Sequence, residues 1–261
     1  MNPPSSQYAS YSIGPGKLTP AVKYLIMANV VGYLLTLVMP SLTIPLGLIP
    51  AAVVERLWVW QPVTYMFQHG GLFHLLFNML ALWMFGVELE RLWGTRFFTR
   101  FYFVCGLGAA AATIVVSMLP FAFAEQLYVT VTVGASGAIY GLLLAYGLTW
   151  PNRPIYIYAV IPIPAKIFVL IMGGISLLSS VSGSQSGVAH LAHLGGLAAG
   201  YLYLVSRRSA MMSQLRSAWL RWRMARLRRR FEVHQGGRRP GSGPGPTPGS
   251  GSGSGPDRWV H

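Results

Sequence analysis

HGGLFHLLFNMLALWMFGVELERLWG, residues 69–94, is an apolar run broken by polar side chains at few places, and its reading decides the fold. Residues 72–87 form a stretch close to the ~17–25 residues that cross a bilayer core as a helix. Two polar groups, His74 and Asn78, sit inside it one helical turn apart, on the same face. An ionisable group in lipid costs at least ~2.5 kcal/mol, so a histidine there needs a reason to be present. Similar apolar stretches recur at residues 22–39, 97–119, 136–150, 165–181 and 188–205. The expectation is an all-α membrane protein, a bundle of six transmembrane helices occupying residues 21–206. The stretch at 136–150 is short, and residues 128–133 just before it are expected to enter the membrane as a loop.

Composition agrees with lipid as the solvent. Hydrophobic residues make up 53% of the 261-residue chain and charged residues only 10%, against roughly 25% charged in an ordinary soluble domain. The single cysteine, Cys105, lies inside the third apolar stretch, which excludes a disulfide framework and suits a small buried hydrophobe. The first 20 residues are polar and rich in Gly and Pro and do not form a cationic leader, so the first span is expected to be a retained anchor.

Net charge is +14 and uneven: from Arg207 onward there are twelve basic residues against two acidic ones. Such a balance invites a nucleic-acid reading, but basic residues beside a membrane span first mark the cytoplasmic side. No nucleic-acid partner is expected. With six spans, a cytoplasmic C-terminus requires a cytoplasmic N-terminal segment at residues 1–20. The loops agree: Lys17, Lys23, Arg91, Arg96, Arg100, Arg153 and Lys166 fall on the predicted inner side, and only Arg56, beside Glu55, falls on the outer side. The expected location is the cell membrane, multi-pass, with both termini in the cytoplasm. Residues 207–235 mix arginines with Met212, Leu215, Trp219 and Trp222 at helical spacing. Such a segment either lies on anionic lipid or only enforces topology, and both readings stand. Residues 236–261 are dominated by Gly, Ser and Pro, and disorder is expected there.

Chemistry-bearing residues cluster in three places. His74 and Asn78 open the second span, Gly134-Ala135-Ser136-Gly137 opens the fourth, and His190 and His193 lie in the first turns of the sixth. The glycines around Ser136 fall at positions −2 and +1, so the Gly-X-Ser-X-Gly hydrolase elbow does not match. Gly137 with Gly141, and Gly196 with Gly200, are four-residue pairs of the kind that let membrane helices approach closely. The acidic residues, Glu55, Glu88, Glu90, Glu125, Glu232 and Asp257, all lie in predicted loops, span ends or the tail, so no third triad member is evident. No metal-ligand or phosphate-loop motif is present, and no cofactor is expected.

These stretches together resemble the rhomboid family over residues 60–200: His69-Gly-Gly-Leu-Phe-His74 with Asn78, Glu90-Arg91 with Gly94, Gly134-Ala-Ser136-Gly137 with Tyr140, and Ala192-His193-Leu-Gly-Gly196 with Gly200. The resemblance implies an intramembrane serine endopeptidase with six helices, acting on single-span transmembrane proteins. It implies Ser136 as nucleophile, His193 as general base, and His74 with Asn78 as oxyanion donors. Tyr140 would pack on the histidine ring, and Gly134, Gly137, Gly196 and Gly200 would support the site. Chemically, serine needs a base within hydrogen-bond reach, and a dyad without a carboxylate avoids a costly buried charge. His190 shares a face with His193, and the family spacing to Gly196 selects His193. His69 matches a structural histidine, and Glu90-Arg91, ~20 Å from His74 at 1.5 Å per residue, is expected to brace a loop. The sequence departs from the family at Trp60-Gln61, where an arginine usually follows the tryptophan. A catalytically silent rhomboid-like binder and a proton-relay transporter are the competing readings. The first is expected to lose the serine or histidine, and the second leaves the joint pattern unexplained.

Overall fold

A computed structural model describes residues 15–120, 122–157, 160–181, 190–207 and Met224. The chain divides into two compact units, Met1–Met211 and Met212–His261, and every element named here belongs to the first. The readings for residues 1–14, 188–189 and 236–261, and for 208–235 apart from Met224, lie outside the described residues. Among the described residues, three helices are long and apolar enough to cross a membrane: α1 (Pro20–Val38), α2 (Leu72–Trp93) and α3 (Thr95–Ser117). Two shorter apolar helices, α4 (Ser136–Thr149) and α5 (Ala165–Val181), and a helix over residues 190–207, α6, complete the bundle. Each coincides with one expected apolar stretch.

The short α4 has a structural cause. Its 14 residues cover only ~21 Å at 1.5 Å per residue, less than the ~30 Å hydrocarbon core. The chain before it forms a helix at Ala122–Val129 and then runs extended into the protein. Tyr128, expected in the entering loop, is therefore helical, and entry begins after Val129. Thr132 and Leu48 exchange both backbone hydrogen bonds, at 2.8 and 2.9 Å, and the Gly134 N–H donates to the Tyr65 carbonyl at 2.9 Å. These partners satisfy polar backbone that hydrocarbon could not.

The all-α expectation needs one correction. Between α4 and α5, strands β1 (Pro154–Ile157) and β2 (Ile161–Pro164) pair antiparallel, with Ile155 opposite Ile163 and Pro154 opposite Pro164. Three prolines oppose a helix here, and the alternating isoleucines suit a two-stranded ribbon.

Small residues set how closely the helices meet. A Cβ on Gly196 of α6 would lie 1.9 Å from the Gly137 carbonyl oxygen of α4, and one on Gly141 would lie 2.3 Å from the Cys105 sulfur of α3. α3 is the third wall, which spacing alone did not announce: a Cβ on Gly108 would meet Ala199, and one on Gly195 would meet Ala112 and the Ala109 backbone. Cys105 is fully buried at this crossing.

Polar groups fasten the ends. Glu90, buried near the end of α2, accepts hydrogen bonds from the Ala21 N–H at 2.9 Å, the Val22 N–H at 3.0 Å, the Thr95 hydroxyl at 2.7 Å and the Thr19 hydroxyl. It thus caps the first turn of α1, whose N–H groups have no partner within the helix, and ties in the start of α3. Arg91 donates to the Pro15 and Lys17 carbonyls. At the departure from the family pattern, Gln61 is fully buried and pins the segment between α1 and α2. Its Oε1 accepts from the Ile49 N–H at 2.9 Å and its Nε2 donates to the Ile44 carbonyl at 3.0 Å.

Two stability effects are expected. Gly196→Ala should cost about 3 kcal/mol, the upper end for overpacking, because the obstacle is backbone. Gly200→Ala, whose Cβ would find its nearest neighbours at 3.2–3.3 Å, should cost about 1 kcal/mol. Thermal unfolding in detergent reads both, and equal losses would refute the close-contact account. Glu90→Gln should also destabilise by about 3 kcal/mol, since the amide NH2 would face N–H donors. Unchanged unfolding of that variant would show that the cap is dispensable.

Candidate active site

Ser136 is the first residue of α4, and Gly134 just before it has φ +128°, a conformation that favours glycine. A Cβ at Gly134 would lie 2.9 Å from His74 Nε2 and 3.6 Å from the Ser136 hydroxyl oxygen. Any side chain there would fill the space between His74 and Ser136. The loop is held by Tyr65, whose carbonyl accepts from the Gly134 N–H and whose hydroxyl donates to the Gly106 carbonyl of α3 at 2.7 Å. Two residues carry the geometry to α6: Gly137 admits that helix, and Tyr140 stands one turn beyond Ser136.

The Ser136 hydroxyl oxygen lies 2.8 Å from His193 Nε2. The Tyr140 ring stacks on the His193 ring with centroids 4.1 Å apart and planes within 8°. On the opposite edge, His193 Nδ1 lies 3.4 Å from the hydroxyl of Ser176 on α5. Residue by residue, the sequence had singled out every one of these groups except Ser176. Its only signal was a hydroxyl standing between Ile175 and Leu177 in an apolar run.

His74 faces the same region from α2. Its Nδ1 is 3.4 Å from the Gly70 N–H and accepts from it, which in a neutral imidazole leaves the hydrogen on Nε2, the nitrogen directed toward Gly134. Asn78 is buried, and its Nδ2 donates to the His74 carbonyl at 2.7 Å. One amide hydrogen is thus committed to its own helix, and a second remains. His69 meets the His74 ring edge-on at 5.0 Å. His190 meets His193 edge-on at 5.5 Å, farther from Ser136 in the chain of contacts than His193 itself.

Among the described residues no carboxylate bonds to His193. Glu88 pairs with Arg153, Glu90 caps α1, and Glu55 accepts from the Tyr128 hydroxyl. The arrangement is a hydroxyl in hydrogen-bond contact with an imidazole that can take its proton, the requirement for a serine nucleophile.

Comparison with known proteins shows which family the sequence matches. The chain is 33% identical over 144 residues to Rhomboid protease GluP of Bacillus subtilis, covering 54% of this chain and 25% of that protein. It is 33% identical over 144 residues to the mitochondrial Rhomboid protein 1 of Saccharomyces cerevisiae, covering 52% of this chain and 38% of that protein. Against Rhomboid protease AarA of Providencia stuartii the figures are 30% over 161 residues, 57% of this chain and 56% of that protein. The chain thus spans from a quarter to just over half the length of these curated relatives. Residues 56–209, more than half of the chain and all of the site described above, match the Rhomboid domain, and the chain belongs to the rhomboid family.

Proposed function

We propose that this protein is an intramembrane serine endopeptidase that hydrolyses peptide bonds in or near the transmembrane segments of single-span membrane proteins, using Ser136 and His193 as a dyad. The observation that carries this reading is the 2.8 Å contact between the Ser136 hydroxyl oxygen and His193 Nε2. His193 takes the Ser136 proton as the oxygen attacks the scissile carbonyl, and returns it to the leaving amine as the C–N bond breaks. Water then attacks the acyl-serine, again with His193 as base, and releases the second product. The oxyanion formed in each addition is stabilised by His74 Nε2–H, the free Asn78 amide hydrogen and the Ser136 N–H at the start of α4. Gly134 supports this role, because a side chain there would run into the His74 ring, 2.9 Å from its Nε2, beside the Ser136 hydroxyl. No cofactor enters the chemistry.

The same reading has the chain cross the cell membrane six times with both termini in the cytoplasm. The basic segment after α6 would meet anionic lipid.

Ser136→Ala and His193→Ala should each lower cleavage of a single-span substrate by about 10⁴-fold or more, as removal of such groups does elsewhere, with the protein still folded. His190→Ala should retain activity. Detergent-purified protein with a fluorescent substrate and a fluorophosphonate label provides the measurement. An active His193→Ala beside an inactive, folded His190→Ala would reassign the base, and active Ser136→Ala would end the proposal.

Substrate choice follows from the solvent. A transmembrane helix satisfies its own carbonyls, so a scissile bond becomes reachable only when a few residues unwind. Hydrocarbon cannot compensate the freed groups, but a cavity bearing His74, Asn78 and His193 can. Substrates should carry Gly or Pro near the outer end of the span, and replacing them with Leu should slow cleavage about 10-fold, the effect of ~1.4 kcal/mol. Equal rates for all-Leu and Gly/Pro spans at matched membrane concentration would refute this account.

A further inference from the structure

Among the polar groups in the bundle, Ser176 has no part in the reaction as written above, yet it touches the base. α5 is apolar along most of its length, and the neighbours Ile175 and Leu177 are 49% and 54% exposed, as lipid-facing side chains are. Ser176 between them is 0% exposed. Its hydroxyl lies 3.4 Å from His193 Nδ1, and it also interacts with the Tyr140 hydroxyl. The packing that brings α5 this close is again permitted by a small residue: a Cβ on Gly147 of α4 would lie 2.8 Å from Val169 of α5.

The geometry points to Ser176 as the positioning residue of His193, its hydroxyl oxygen accepting the Nδ1 hydrogen and thereby holding the tautomer whose Nε2 can take the Ser136 proton. This rests on the reading of Ser136 and His193 as a dyad. A neutral imidazole carries one hydrogen. For Nε2 to accept from Ser136, that hydrogen must be on Nδ1, and a buried N–H without an acceptor is costly. Stacking on Tyr140 cannot choose the tautomer, because either form stacks equally well, and the Ser136 hydroxyl, which can donate to Nε2 or accept from it, does not choose alone. An acceptor at the Nδ1 edge does. With its own hydrogen donated to the Tyr140 hydroxyl oxygen, Ser176 meets His193 as an acceptor and favours the form with the hydrogen on Nδ1. A hydroxyl also orients the ring without the desolvation that a carboxylate would incur among apolar helices. It stabilises the imidazolium less than a carboxylate does, so its removal should cost far less than the ~10⁴-fold loss seen when a triad aspartate is replaced and the wrong tautomer results.

The test compares full-length Ser176→Ala, Ser176→Thr and Ser176→Cys in detergent, by steady-state cleavage and by ¹⁵N NMR of histidine-labelled protein, with the His193 signals assigned from their loss in His193→Gln. Ser176→Ala should lower kcat about 10-fold with KM within about 2-fold, a ~1.4 kcal/mol effect confined to turnover. Its His193 signals should move from the pure Nδ1–H tautomer to a mixture. Ser176→Thr keeps the hydroxyl and should restore both readouts. Ser176→Cys is close in size but a weak acceptor, so it should resemble Ser176→Ala, and it serves if the alanine variant does not fold. Wild-type kcat with an unchanged His193 tautomer in Ser176→Ala or Ser176→Cys would overturn the assignment, as would failure of threonine to restore activity in folded protein. If wild-type protein neither cleaves nor labels at Ser136, the protease reading fails, and the His193 tautomer in the same variants still decides the role of Ser176.

Discussion

The site depends on one close approach, the passage of α6 across α4 at backbone contact. Gly196 leaves no room for a Cβ against the Gly137 carbonyl, and Gly141 and Gly200 continue the crossing one turn farther on. Between membrane helices there is no strong hydrophobic drive to associate, so shape and close packing decide where they meet. A side chain at Gly196 would push the helices apart by more than a hydrogen bond can stretch. Ser136 and His193 would then lose contact even with both present. α3 braces the crossing by placing Cys105 against Gly141 and Gly200, Ala109 against Gly137 and Ala112 against the adjacent Gly195.

Around that crossing, polar groups at the helix ends are partnered. Glu90 and Gln61 satisfy backbone at the helix ends and in the segment before α2. The extended residues that lead into α4 find partners in Leu48 and Tyr65. His193 meets Ser136 and Ser176, and His74 lies beside Gly134 with Asn78 one turn further along α2. The entering segment therefore serves two ends: it sets Ser136 at a helix start within the protein, and it lets the Gly134 backbone lie against His74.

Much of this could be read along the chain. Apolar runs located helices α1 to α6 among the described residues, because a lipid-facing helix must be apolar over a set length. His74, Asn78, His190 and His193 stood out as polar groups in such runs, the resemblance to the rhomboid family selected Ser136 and preferred His193 to His190, and four-residue glycine spacing marked the faces of α4 and α6 that meet. The hairpin at 154–164 went unread, since its short alternation of Ile and Pro sits between two strong helical signals. Tyr128 was assigned to the loop although the helix before α4 extends to Val129.

Sequence alone thus determined where the apolar helices lie, which residue types lie within them, and the family to which the chain belongs. Tertiary structure decided which nitrogen of His193 meets Ser136, what meets the other, and how Gln61 acts where an arginine is usual. Those answers depend on residues 57, 17 and 12 positions apart in the chain, brought together by helix crossings whose distance only backbone geometry sets. Periodicity reports which face of a helix is small or polar; it carries no information about the partner that face finds. Ser176 shows the limit most clearly, as a serine in an apolar helix becomes meaningful only when the edge of an imidazole is seen against it.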